Sequence, residues 1–399
     1  MTTQAPLIHS LGASWNFGAP VVGVVWEAEG ASAAVALGDG HLARIDAQWP
    51  HAPRIEPRPE GGLCLVAAAE PAPHPVRAAC HLGSCLGLAA DPHGGFLTGG
   101  DDGRVVHVPR SGEPVVVAHL PDHWIDTLAC GAGGMRAHAS GRQVHRVGGS
   151  TSGSAVASAG ASAGASSNRS TNESATRASD TTIDVPAPAT ALAFSPDGRC
   201  LAIAHSGGVT LWPETGAPRL LAWPGYHRAL AWSPDGRYLV TGMQENALHG
   251  WRVADGGDIE MGGYPGQPLS LSFAHDGRYL ATSGGTRPVC WRFDPPGAAG
   301  GPVECGIASN TPVTVVACHP RQPVIAAGYF NGAVVLCQPG SDEGLFIKGS
   351  GGGAVNAIAW SHDGSRLAFG NQDGDFGWLA LPEALFRSRA AARPTVETV

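Results

Sequence analysis

A short pattern recurs along the second half of the chain and restricts the fold more than any other feature. It reads Ala191-Leu-Ala-Phe-Ser-Pro-Asp-Gly-Arg-Cys-Leu-Ala, then Ala229-Leu-Ala-Trp-Ser-Pro-Asp-Gly-Arg-Tyr-Leu-Val, Leu269-Ser-Leu-Ser-Phe-Ala-His-Asp-Gly-Arg-Tyr-Leu-Ala and Ala357-Ile-Ala-Trp-Ser-His-Asp-Gly-Ser-Arg-Leu-Ala. Val315-Val-Ala-Cys-His-Pro fits between the last two, so the spacings are about 38, 41, 45 and 42 residues. Each copy is an alternating strand, a tight turn and a second strand. A period near 40 to 45 is that of one four-stranded blade in a closed radial ring.

The residues of one unit follow from that geometry. Apolar side chains at every second position bury one face of an inner strand, and Asp-Gly supplies a turn residue tolerant of positive φ. A second turn follows, on Ser206-Gly-Gly, Gln244-Glu-Asn, Gly284-Gly-Thr, Asn331-Gly or Gln372-Asp-Gly. The third strand ends on Trp212, Trp251, Trp291 or Trp378, with Cys337 in the equivalent place of the unit between the last two. A large flat side chain there fills the wedge between neighbours, which a single unit cannot cover alone. Composition agrees: glycine and proline make 89 of 399 residues, which leaves little room for long helices, while 43% hydrophobic residues can bury a large core.

Ser-Pro-Asp-Gly-Arg, Leu-Ala, an Asp-Gly-like turn and a terminal Trp resemble the WD40 repeat family, well over residues 190–381 and more weakly before them. The resemblance implies a closed β-propeller and a protein-interaction scaffold. The chain departs from the family where Pro213, Arg252, Arg292 and Leu379 replace the aspartate after the tryptophan, and where the opening Gly-His survives only as Gly225-Tyr-His. The buried Asp-His-Ser/Thr-Trp hydrogen-bond network of the family is therefore expected to be largely absent.

Toward the N-terminus, units open at Val21, Cys85 and Trp124, and openings near 20, 84, 124, 190, 228, 268, 312 and 354 favour eight blades, with seven as the alternative. One propeller is expected over 7–383. The last unit lacks a fourth strand of its own, so Leu7-Ile-His-Ser-Leu-Gly-Ala is expected to complete it and close the ring. Residues 149–180, 25 of 32 being Gly, Ser, Ala or Thr, read as a flexible insertion within a blade, 50–75 as a linker, and 384–399 as a disordered tail. Asn168-Arg-Ser and Asn172-Glu-Ser fit the glycosylation pattern, which carries no weight without an export signal.

Chemistry is sparse. A net charge of −8 and a single lysine, Lys348, beside 24 arginines exclude the basic face that nucleic acid requires. No run approaches 18 apolar residues and no signal peptide opens the chain, so a cytoplasmic protein with free thiols and no membrane partner is expected. Seventeen histidines raise the question of metal. Cys80-His81 with Cys85, and Cys318-His319, lack the spacing of a zinc site, and His93, His275, His319 and His362 lie at equivalent turns spread around the ring. Asp197, Asp235, Asp276 and Asp363 read as turn residues. No nucleophile elbow, Walker loop or dinucleotide fingerprint occurs. No cofactor, metal or catalytic residue is assigned.

The expected function is thus a monomeric, non-catalytic scaffold that binds partner proteins, the alternatives being a metal- or small-ligand-binding propeller or an enzyme with chemistry in the central channel. Partner binding is expected on the face of the unit openings and second turns, through His123, Trp124, Tyr226, His227, Arg228, Tyr264, Arg287, Tyr329 and Phe330, with Glu245, Asp101, Asp102 and Asp373 nearby.

Overall fold

The computed structural model describes residues 6–49, 52–57, 63–148, 181–294, 298–382 and 385–386. The insertion expected at 149–180 and all of the tail but Leu385 and Phe386 lie outside them. The described chain is a ring of antiparallel sheets, six of four strands and one of six, with a separate two-stranded hairpin.

Each four-stranded sheet is one repeat. In the unit of Cys85–Ala90, Phe96–Gly100, Arg104–Val108 and Val115–His119, the strands pair in chain order from the inner strand outward. The six-stranded sheet holds two repeats, because Cys200–Pro213 and Arg219–Trp232 each run 14 residues. Cys200–Pro213 reverses at Gly207 (φ +90°) and Gly208 (φ +139°), and the Glu214 N–H reaches the Arg199 carbonyl at 2.6 Å across the open end. Arg219–Trp232 pairs with 208–211 through its first half and with Tyr238–Met243 through its second. By hydrogen-bonded sheet the ring has seven blades, the alternative number; by repeat it holds eight units, two of them in one sheet.

The first turns explain the recurrent serine and aspartate. Ser195, Ser233 and Ser361 each donate their hydroxyl to the aspartate two residues on, Asp197, Asp235 or Asp363, at 2.6 Å. Each hydroxyl oxygen also accepts the N–H five residues on, from Cys200, Tyr238 or Arg366. One side chain therefore ties both limbs of the turn. The terminal tryptophans Trp212, Trp251, Trp291 and Trp378 are all buried, as is Cys337.

Side chains join the units. The inner strands of neighbouring units share no ladder among the described residues. Instead the indole N–H groups of Trp26, Trp232 and Trp360 donate to the carbonyls of Ala359, Ala193 and Ala317, each on the preceding unit's inner strand, at 3.0–3.1 Å. At the opposite end of the inner strand, Thr314 Oγ1 bonds the Val355 carbonyl at 2.7 Å and Asn356 Nδ2 the Val21 carbonyl at 3.1 Å, both on the following unit.

Closure follows the expected route with a shifted boundary. Leu7 to Leu11 winds into one helical turn, and the strand that completes the last sheet is Gly12–Asn16, paired with Asp375–Leu379. The helix buries Ile8 and Leu11 against Leu379, Leu381 and Phe369. Gly12 is dictated by proximity, since a Cβ there would lie 2.6 Å from the Trp378 carbonyl oxygen. The stretch 50–75 is more than a linker. It contains a hairpin, Arg54–Pro57 with Leu63–Val66, whose Ile55 packs against the same closing cluster, and Trp49 sets its ring 5.9 Å from that of Trp378. The sequence hid this because each strand has only four residues and flanking prolines.

Leu11→Ala, which empties the closing cluster, is expected to cost about 2–5 kcal/mol in denaturant unfolding, and deletion of residues 1–14 to destabilise the whole ring. An unchanged Tm on deletion would refute the closure. The turn aspartates give an acid response. Burial alone would raise the Asp363 carboxyl, but hydrogen bonds from Ser361 and Ser365 and the Arg366 charge hold it at about 2. A folded pKa below the unfolded value near 3.9 stabilises above that value and is lost as pH falls from there to about 2. The Tm gap between wild type and Asp363→Asn should therefore be open at pH 6 and narrow below pH 4.

Candidate functional site

The unit openings and second turns share one face, and the loops that carry its exposed aromatics are built alike. In the loop 120–126, Ile125 is fully buried while Trp124 is 67% exposed. Three backbone bonds hold this loop: Leu120 N–H to Gly103 C=O at 2.8 Å, His123 N–H to Leu120 C=O at 3.3 Å and Ile125 N–H to Gly100 C=O at 3.0 Å. Asp122 takes φ +63°, a left-handed conformation that aspartate tolerates better than most residues. In the turn at 329–332, Tyr329 is buried and Phe330 is 61% exposed, with the Phe330 N–H on the Pro312 carbonyl at 2.9 Å. At the opening of the fifth unit, His227 is buried and Tyr226 exposed. The pattern in all three is an inward anchor beside an outward ring.

That pattern corrects the expected surface. His227, Tyr264 and Tyr329 are core residues, and burial pushes the two tyrosine hydroxyls up to about 12. His227 sets Nδ1 2.7 Å from Thr241 Oγ1 and Nε2 3.1 Å from the Trp223 carbonyl. Tyr264 accepts the Trp291 indole N–H and shares a hydrogen bond with Thr282 Oγ1, both at 2.6 Å. His81, buried under the opening of the second unit, meets Asp102 at 2.9 Å. The buried polar network expected to be largely absent thus survives in three altered forms, with Tyr264 standing where a histidine would. Polar aromatics at a loop boundary read equally well as rim or as core in the sequence, and these found buried partners.

Arg287 is also committed. Its guanidinium donates to the Gly306 carbonyl and to Asp342, each at 2.6 Å, and lies 3.5 Å from Glu304, so it clamps two loops. Of the acids, Glu245 caps the Tyr226 N–H, Asp101 the Ser84 N–H, and Asp102 the Leu82 and Arg104 N–H groups. Their charge is spent on holding loops.

The residues left outward are His123, Trp124, Tyr226, Arg228 and Phe330, with Asp373. Two that the sequence did not single out join them. Leu82 is 82% exposed at the opening of the second unit. Asp126 is exposed as a residue just before the inner strand Thr127–Gly131, while partial burial of its carboxylate raises its pKa against the backbone hydrogen bonds from its own and the Thr127 N–H. Asp126 and Arg228 occupy equivalent positions of the third and fifth units, the residue just before regular pairing begins, which is an extra residue in the fifth. In the intervening fourth unit that place is Thr190, which bonds the His227 carbonyl. The clue to Asp126 was its register, one residue before the inner strand, which only pairing reveals.

The channel walls carry different chemistry. The inner stretches 21–26, 85–90, 127–131, 191–194, 229–232, 271–273, 313–318 and 355–360 contain no Asp, Glu or His. Among the described residues, no three His, Cys, Asp or Glu side chains converge as metal ligands, and no helix is long and apolar enough to cross a membrane. His319 is a structural residue: its Nδ1 accepts the Arg321 and Gln322 N–H groups, and its Nε2 meets the Gly364 carbonyl at 3.0 Å.

Residues 226–252, which run from the exposed Tyr226 through the buried Trp251, match the family model described as WD domain, G-beta repeat. Among solved structures the chain is similar to the computationally designed Ika8 protein, at 12% identity and a TM-score of 0.62, over 92% of this chain and 98% of that one. That likeness concerns the fold. No curated protein matches the chain.

Proposed function

We propose that this chain, a WD40-repeat β-propeller, is a non-catalytic platform that holds partner proteins in the cytoplasm on the face of its unit openings and second turns. The observation that carries this reading is the pair of large rings, Trp124 and Phe330, exposed on loops pinned by backbone bonds and buried neighbours. Aromatic side chains of this kind supply contact area at little conformational cost, and binding energy concentrates in a few of them. Arg228 and Asp373 have no ion-pair or hydrogen-bond partner for their side chains among the described residues, so they are free to select a partner by charge. The absence of acids and histidines from the inner stretches favours binding over chemistry in the channel.

The test is partner capture by the full chain. Trp124→Ala combined with Phe330→Ala should reduce recovery of its specific partners by about tenfold or more, the loss expected from removing about 1.4 kcal/mol or more of hot-spot energy. Both side chains are exposed, so Tm should stay within about a degree of wild type, in line with surface substitutions worth under about 0.5 kcal/mol. Full capture by the double variant would show that this face is not the one used.

A further inference from the structure

In the sixth unit, Cys290 on the strand Val289–Asp294 and Cys305, just beyond the strand Ala298–Glu304, bring their sulfurs to 3.2 Å. Both are fully buried, and both belong to the cluster between the sixth and seventh units. Their backbones are fixed: Cys290 pairs with Val303, and the Cys305 N–H donates to the Pro288 carbonyl at 2.9 Å. A disulfide requires about 2.05 Å between the sulfurs, so closure needs an approach of roughly 1.2 Å, a side-chain adjustment.

The two thiols differ in character. Cys305 and Cys290 share an S–H···S contact at 3.2 Å, Cys305 Sγ also accepts the Gly340 N–H at 3.4 Å, and the Arg287 guanidinium lies beside its backbone. These interactions outweigh burial and draw Cys305 below the usual thiol range, while the same sulfur contact and burial push Cys290 up. Burial instead raises Cys80, Cys85, Cys130, Cys200, Cys318 and Cys337. One thiol of the pair is thus biased toward the reactive thiolate and the other toward the neutral partner that resolves it.

We propose that Cys290 and Cys305 are a reversible thiol–disulfide site, oxidised by a peroxide and reduced by a dithiol. The Cys305 thiolate attacks the peroxide O–O bond, forming the S–O bond of a sulfenic acid and expelling hydroxide, which becomes water on protonation. The Cys290 sulfur then displaces hydroxide from Cys305, and the leaving oxygen takes the Cys290 proton as water. In sum, two thiols and one hydrogen peroxide give one disulfide and two waters. The new bond would lock the 305–312 loop, whose Pro312 carbonyl receives the Phe330 N–H.

The test treats the full chain with hydrogen peroxide until its four methionines begin to form sulfoxides, which shows that oxidant has acted. Trypsin then cuts after Arg278, Arg292 and Arg321, separating Cys290 in 279–292 from Cys305 and Cys318 in 293–321. The expected product is these two peptides linked with a loss of two hydrogens, fragmentation placing the bond on Cys305, and dithiothreitol releasing them. The oxidised chain should also melt a few degrees higher than the reduced one, and Cys290→Ser should abolish both the link and the shift. A chain with oxidised methionines but no such link, or a link through Cys318 or Cys337, overturns the proposal. The readout on the wild-type chain does not depend on whether any variant folds, and it is independent of partner binding.

Discussion

The ring rests on hydrogen bonds between units that share no ladder. Packing alone can hold two inner strands side by side, but it does not fix their register, because small apolar side chains slide past one another at little cost. The indole N–H groups of Trp26, Trp232 and Trp360 fix it at one end of the strand, and side chains such as Thr314 and Asn356 at the other. Each bond satisfies an inner-strand carbonyl and is worth about 1 kcal/mol net, more if its loss leaves the carbonyl dry. Repeated around a closed ring, small terms of this kind set the positions of all the loops.

How legible this was in the sequence depended on repetition. The Ser-Pro-Asp-Gly turns and terminal tryptophans recur at fixed spacing, so the strands, the turn chemistry and the closure by the N-terminal segment could all be read. Single residues without a copy could not. Trp49 and Ile55 support the closing sheet, but their stretch has proline-rich flanks and reads as a connection. Tyr264 takes over a histidine's task in one unit only. Asp126 becomes distinctive only when pairing shows it one residue ahead of the ladder. The blade number depends on what is counted, since Gly207 and Gly225 join two repeats into one continuous sheet.

The same alternation of inward and outward residues organises the exposed face. Ile125, His227 and Tyr329 point in, and the rings beside them point out. A partner meeting Trp124 or Phe330 therefore touches side chains whose backbone has already lost its freedom, so little ordering remains to be done on binding. Three of the carboxylates on this face serve that rigidity by capping N–H groups, which leaves charge recognition to the few side chains that cap nothing.

The joint between Gly12–Asn16 and Asp375–Leu379 has a mechanical consequence. In this antiparallel ladder Gly12 lies opposite Leu379 and Asn16 opposite Asp375, so the chain enters and leaves at the same end. Tension applied through the two flanking segments peels the ladder one pair at a time from Gly12 instead of shearing all pairs together. The helical turn at Ile8–Leu11 and the hairpin carrying Ile55 sit at that end, where peeling begins, and must be dislodged before the first pair gives way.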